Sequence, residues 1–189
     1  KDEKIRKKKY YAYLEKVRAE LENQSEIQAE ILRENYVSLP SCVERIEKQQ
    51  RNLWERMPEH GDFLDVRIGT GNLPLDINFG FREEGFSVEE DELKDAMNLL
   101  GREPREVKEV PIPHSLVESF ITGVTGERKE TDLFVRNMIL QLVSLHSYMD
   151  LKIVFLYDEE EEDKWGWVRW LPHVWDDSQS IRIVASNMD

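Results

Sequence analysis

Before Pro40 the sequence contains neither glycine nor proline, and its apolar residues recur at helical spacing. Tyr10, Leu14, Val17 and Leu21 stand three and four residues apart, and Ile27, Ile31 and Leu32 continue the series past Ser25. Glu, Lys, Arg, Gln and Ala fill the other positions, so pattern and propensity together predict an amphipathic helix over 4–35, an arm or stalk. Leu39-Pro40-Ser41 is expected to end it, with Ser41 capping a second helix over 42–50.

The remainder must supply the core. A chain of 189 residues accommodates one substantial core plus an appendage. The division expected is a helical stalk over 1–50 and an α/β domain over 51–189. A net charge of −13 opposes non-specific binding to DNA, RNA or an anionic membrane, each of which carries its own negative field. The single cysteine, Cys42, rules out an intramolecular disulfide and argues against a cysteine-based zinc site; an intracellular setting fits. No apolar run approaches the length of a membrane span, and no signal peptide is recognisable. The exception to the acidic character is the start, where Lys1, Lys4, Arg6, Lys7, Lys8 and Lys9 precede Tyr10, Tyr11 and Tyr13. That order suits the cytoplasmic flank of a membrane anchor, or equally a solvated helix start.

Residues 63–69 alternate, with Leu64, Val66 and Ile68 on one face, and predict a strand ending in the Gly69-Thr70-Gly71 turn. A second strand over 72–81, hairpinned to the first, is expected. Arg56, His60, Asp62, Asp65 and Arg67 read as structural ion-pairing groups, since nothing in their spacing sets a nucleophile beside a base. Ser87 with Glu90 forms a capping box for a short acidic helix ending at Gly101, and 110–113 reads as an extended approach to the core.

The stretch 119–147 reads as a short buried strand, a glycine turn and an apolar helix, Leu133–Leu145, buried between sheet and neighbours. This outline belongs to phosphate-binding units, but a working loop needs Gly-x-x-x-x-Gly-Lys-Ser/Thr. Here Glu127 follows Gly126, and no glycine stands five residues before it. The weak, degenerate nucleotide-binding set is Gly123, Thr125, Gly126, Arg128, Lys129 and Thr131, which would meet an anion at the helix N-terminus. The alternative is a retained fold with a retired site. No catalytic residue and no metal ligand is assigned.

Residues 150–158 form an apolar run ending in Asp158, read as a strand, and the acids that follow it as a solvated loop or partner contact. Trp165, Trp167, Trp170 and His173 are interface candidates. A nucleic-acid stacking platform would need a basic groove beside these aromatics, and the acidic run opposes one. Residues 181–186 form the last strand.

Leu53-Trp54-Glu55-Arg56, Asp62-Phe63-Leu64 and Val66-Arg67-Ile68-Gly69-Thr70-Gly71 closely resemble the segment after the transmembrane helices in the EssC/EccC family. These are FtsK/SpoIIIE-like motor ATPases of type VII secretion. The basic, tyrosine-rich helix at 6–14 and the run from Trp165 to His173 extend the resemblance over essentially the whole chain, which looks closer to EssC. The resemblance implies a degenerate, FtsK/RecA-like α/β domain with a P-loop-type sheet flanked by helices, incomplete at its C-terminus. It also implies a place on the cytoplasmic face of the bacterial membrane. The implied role is non-catalytic coupling of the membrane complex to downstream ATPase domains, with no cofactor in this segment. The alternatives are a Mg-ATP-binding domain, regulatory or active, and, behind it, a DNA translocase module. Implied partners are those ATPase domains, other type VII membrane components, WXG-type secreted substrates and further copies in a hexamer, with no nucleic acid.

Overall fold

The computed structural model describes residues 2–77, 93, 95, 96, 100 and 105–186. Their elements mix helix and sheet: α1 (Asp2–Asn35), α2 (Leu39–Glu47), β1 (Asp65–Pro74), β2 (Glu106–Ser115), α3 (Leu116–Ser119), α4 (Arg128–Leu145), β3 (Phe155–Leu156), α5 (Glu162–Trp165) and β4 (Val184–Ala185), with short 3-10 turns around α5. Contacts group residues 1–36 with 69–112 in one unit, and 37–68 with 113–189 in another. Among the described residues the strands form two separate two-stranded sheets.

In the first unit the helix is as expected. Tyr10, Leu14, Val17 and Leu21 are part-covered, whereas Ile27 and Ile31 fall off the stripe and are exposed; Ala29 is the buried residue at that level. Ala29 packs with Val107 and Val110, and Leu32, Leu73 and Leu75 close around them. The Gln28 amide fixes the end of β1, donating to the Pro74 carbonyl at 3.1 Å and accepting from the Asp76 N–H at 2.8 Å.

β1 corrects the expected hairpin. Gly69 and Gly71 lie within a continuous strand, whose partner is β2 and not residues 72–81. The reason is close approach: a Cβ on Gly71 would stand 3.3 Å from the Ile112 side chain. Leu75 N–H donates to Arg105 O beyond one end of the pair, and Leu116 N–H to Leu64 O beyond the other, so the strands are antiparallel. Residues 78–81, and the helix expected over 87–101 apart from Leu93, Asp95, Ala96 and Leu100, lie outside the described residues.

The second unit is organised on α2, α4 and the segment between α2 and β1. The cap of α2 is Ser38 and not Ser41: the Ser38 hydroxyl accepts from the Ser41 N–H, and Pro40 sits in the first turn, where its missing N–H costs nothing. α2 packs against α4. Next, Trp54 N–H donates to Ser144 O, Arg56 N–H to Leu145 O, and the Trp54 indole N–H to Val143 O. Trp54 adopts φ 60°, a left-handed conformation unusual for a large side chain and held here by these three bonds. Arg56 is buried, its Nε 3.0 Å from Asp62 Oδ2 and its Nη1 donating to the Asp65 carbonyl. The Gln141 amide accepts from Arg67 N–H at 2.8 Å and donates to Arg67 O at 3.0 Å, so a helix side chain stands where a neighbouring strand would.

Four further expectations change. Residues 119–121 do not form a buried strand: α3 ends at Ser119, Phe120 takes φ 48°, and Phe120 and Ile121 are 92% and 90% exposed. α4 is not buried throughout, because its buried residues run only from Ile139 to Leu145 and Leu133 lies in the open. The run 150–158 contributes only Phe155 and Leu156 to a strand, paired in parallel with Val184 and Ala185. The last strand shrinks accordingly, because the Asp176 carboxylate accepts the N–H groups of Ser180 and Ile181 and ties residues 176–181 into a loop.

Arg56→Ala removes a buried side chain and leaves the Asp65 carbonyl without its donor. Because Asp62 is partly solvated, the expected loss is at the low end for a buried ion pair, about 3 kcal/mol, measured by urea denaturation.

Candidate functional site

The glycine loop opens on the N-terminus of α4, as the sequence outline requires, and borders a cleft of about 460 Å³. Four of the six residues expected to meet an anion, Gly123, Thr125, Gly126 and Thr131, line it. His114 and Glu130 are the ionisable groups of its wall among the described residues, and Ile68, Val124, Phe134 and Met138 make the rest largely apolar. One ring nitrogen of His114, Nε2, lies 2.9 Å from the Thr122 hydroxyl and ties the start of the loop to the end of β2. Thr131 turns its hydroxyl back to donate to Arg128 O at 2.9 Å, so this donor is spent within the helix.

The two cations are elsewhere. Lys129 is exposed and is not part of the cleft wall. Arg128 reaches the acidic run, its Nη2 2.7 Å from Glu161 Oε1, while Lys164 Nζ holds Glu161 Oε2 at 3.0 Å and Asp132 Oδ2 at 3.5 Å. The bond to Arg128, then that to Lys164, pulls the Glu161 carboxyl below its ordinary value; the same pairing raises Arg128. Of the acids after Asp158, Glu159, Glu160 and Asp163 are exposed as a solvated run would be, whereas Glu161 and Glu162 are part-covered and paired within the chain. Glu159–Glu161 forms a 3-10 turn, and Glu162 accepts from Arg169 at 2.9 Å and from the Tyr157 hydroxyl at 2.9 Å. Gly166 makes room for this network, since a Cβ there would stand 2.6 Å from Glu162 Oε1.

The interface candidates divide by exposure. Trp170 is 80% exposed, and the Arg182 guanidinium lies over both its ring, at 5.5 Å, and that of Trp175, at 4.5 Å. Trp165 carries the guanidinium of Arg136 at 5.5 Å, and the Trp167 indole nitrogen is buried. His173 is wholly buried, its Nε2 donating to the His146 carbonyl at 2.8 Å. His146, also wholly buried, uses both ring nitrogens: Nε2 accepts from Leu64 N–H at 3.0 Å and Nδ1 donates to Leu142 O at 3.0 Å. Sequence reading missed this pair and the Arg128–Glu161 contact. No motif spacing marks either, because each joins residues far apart in the chain.

Among the described residues no helix is long and apolar enough to cross a membrane, and no three His, Cys, Asp or Glu side chains gather as metal ligands. No family profile matches the chain. Individual relatives do: over 169 residues, 89% of the chain, it is 30% identical to the ESX secretion system protein EccC of Geobacillus thermodenitrificans. Over 187 residues, 99% of the chain, it is 30% identical to the type VII secretion system protein EssC of Staphylococcus aureus strain NCTC 8325 and 29% identical to that of strain MW2. It spans 11% of the EccC length and 13% of the EssC length. The chain is therefore similar, over nearly all its length, to a segment of type VII secretion proteins. Its homologues over most of the chain are the EssC and EccC proteins of type VII secretion, EssC being the more frequent name among them.

Burial holds both His146 and His173 below the ordinary imidazole pKa, so the fold favours their neutral forms. Unfolding frees them to take protons near pH 6.5, so their contribution is fully present above that pH and is lost as pH falls through it. The midpoint of urea denaturation is expected to drop between pH 7 and pH 5, with a slope of up to about 1.4 kcal/mol per pH unit for each histidine. A His173→Asn variant should show a shallower slope.

Proposed function

We propose that this chain is a non-catalytic, membrane-proximal, degenerate ATPase-like domain of a type VII secretion motor, coupling the membrane complex to ATPase domains of the same polypeptide during protein export. The observation that carries the non-catalytic reading is the pairing of Arg128 with Glu161. A phosphate needs cations and free N–H groups, yet the cleft beside the glycine loop presents Glu130, and the helix's first cation is neutralised by a carboxylate of its own chain. The retired-site reading gains from this, and so does an assignment with no bound cofactor. The coupling role rests on the arm: a helix of 34 residues is about 50 Å long, and its basic, tyrosine-rich start suits the cytoplasmic face of a membrane. Partners under this reading are the motor domains, other membrane components of the system and further copies in a ring, with WXG-type substrates engaged through the whole protein.

Calorimetry with Mg-ATP on the chain is expected to show no heat of binding. Micromolar binding that disappears in the Arg128→Ala, Lys129→Ala double variant would restore the nucleotide-binding reading, which the glycine loop's position at the start of α4 favours. For coupling, removal of residues 2–35 from the full-length protein should stop secretion while ATP hydrolysis by its isolated motor domains stays unchanged. Normal secretion after that deletion would sink the coupling role.

A further inference from the structure

Phe120 and Ile121 are almost wholly exposed, and Phe120 is held there in a backbone conformation that a non-glycine residue rarely adopts. Two large apolar side chains in succession on a strained loop are more than the scattered surface hydrophobics of an ordinary protein. They precede Thr122, which lines the cleft, in the chain, and Val117 and Leu133 are exposed as well. The cleft itself is floored by Phe134 and Met138, one helical turn apart on the side of α4 that carries Glu130. The exposed apolar loop thus runs directly, through Thr122, into the wall of a cleft lined by apolar side chains of α4.

Charge selects what it accepts. Glu118, Glu127 and Glu130 lie in and beside this surface and are exposed. Against them stand Lys129 and Arg128, and the charge of Arg128 is taken up by Glu161. His114, on the cleft wall, is engaged with Thr122. A second copy of the chain, itself at −13, would bring the same carboxylates to the same face, so self-pairing there is opposed. We infer that the loop around Phe120 and the cleft beside α4 form a docking surface for an amphipathic, basic protein segment. An apolar side chain of that segment enters the cleft, Phe120 and Ile121 pack over it, and its Lys or Arg residues meet Glu130 and the neighbouring carboxylates. This assignment is independent of the coupling role, because it depends only on the surface of this chain.

The probe is a fluorescein-labelled amphipathic peptide of leucine and lysine, compared with one that keeps the leucines and replaces each lysine by glutamate. Fluorescence anisotropy with the whole chain is expected to show saturable binding of the lysine peptide and none of the glutamate peptide. Glu130→Lys should weaken binding about tenfold, and Phe120→Ser with Ile121→Ser at least as much. Glu20→Lys on α1, which changes the net charge equally, should alter it less than about twofold. Urea denaturation of each variant checks that the fold is kept; these side chains are exposed, so the midpoints should be unchanged. Equal losses for Glu130→Lys and Glu20→Lys would reduce the binding to general attraction and overturn the docking surface. Indifference to the Phe120, Ile121 double change would do the same. Sedimentation showing that these two side chains drive self-association of the chain without peptide would replace the proposed occupant by a second copy.

Discussion

The second unit hangs on the last turn of α4. A helix end leaves carbonyls without partners, and here those of Val143, Ser144 and Leu145 are claimed by the Trp54–Arg56 segment, which approaches from a distant part of the sequence. The same three residues deliver Arg56 into the core, where it meets Asp62 and the first carbonyl of β1. Helix terminus, loop and strand are thereby fastened by one short stretch, and Leu64 is drawn close enough for its N–H to reach His146. The left-handed backbone at Trp54 and at Leu64 marks where the chain bends to make these bonds. Trp54 and Arg56, which stand out in the family resemblance, are therefore explained by architecture, with no need for chemistry.

A second economy of charge shapes the glycine loop. An acidic chain that keeps a helix N-terminus and two adjacent cations would be expected to attract anions, and the run after Asp158 supplies them internally. Glu161 takes Arg128 and Lys164 together, while Glu162 takes Arg169. These exposed or half-exposed pairs add little stability individually. They set a carboxylate of the chain against the first cation of α4, beside a largely apolar cleft with Glu130 on its wall.

What was legible in the sequence follows from range. α1 was readable because its stripe is local, and Ile27 and Ile31 were misplaced on it only because the buried residue at that level is the small Ala29. The helix after the glycine loop was readable for the same reason. The turn at Gly69–Gly71 was misread because both glycines lie within a continuous strand, and Gly71 serves the close approach of Ile112, not a change of direction. Ser41 looked like a cap because Pro40 looked like a terminator, whereas proline is at home in a first turn. The histidine pair and the Glu161 contact had no signal at all, since their partners are fixed by tertiary packing.

Two glutamines acquire significance beyond their own bonds. Gln28 at the end of β1, and Gln141 alongside Arg67 near its start, each offer an amide that donates and accepts as a peptide unit does. The ribbon is thus bounded by side chains of two helices at positions where an exposed strand would invite another molecule to add itself. At Arg67 the place a foreign strand would take is already filled, so growth of the sheet from that point would first have to evict an amide held by two bonds.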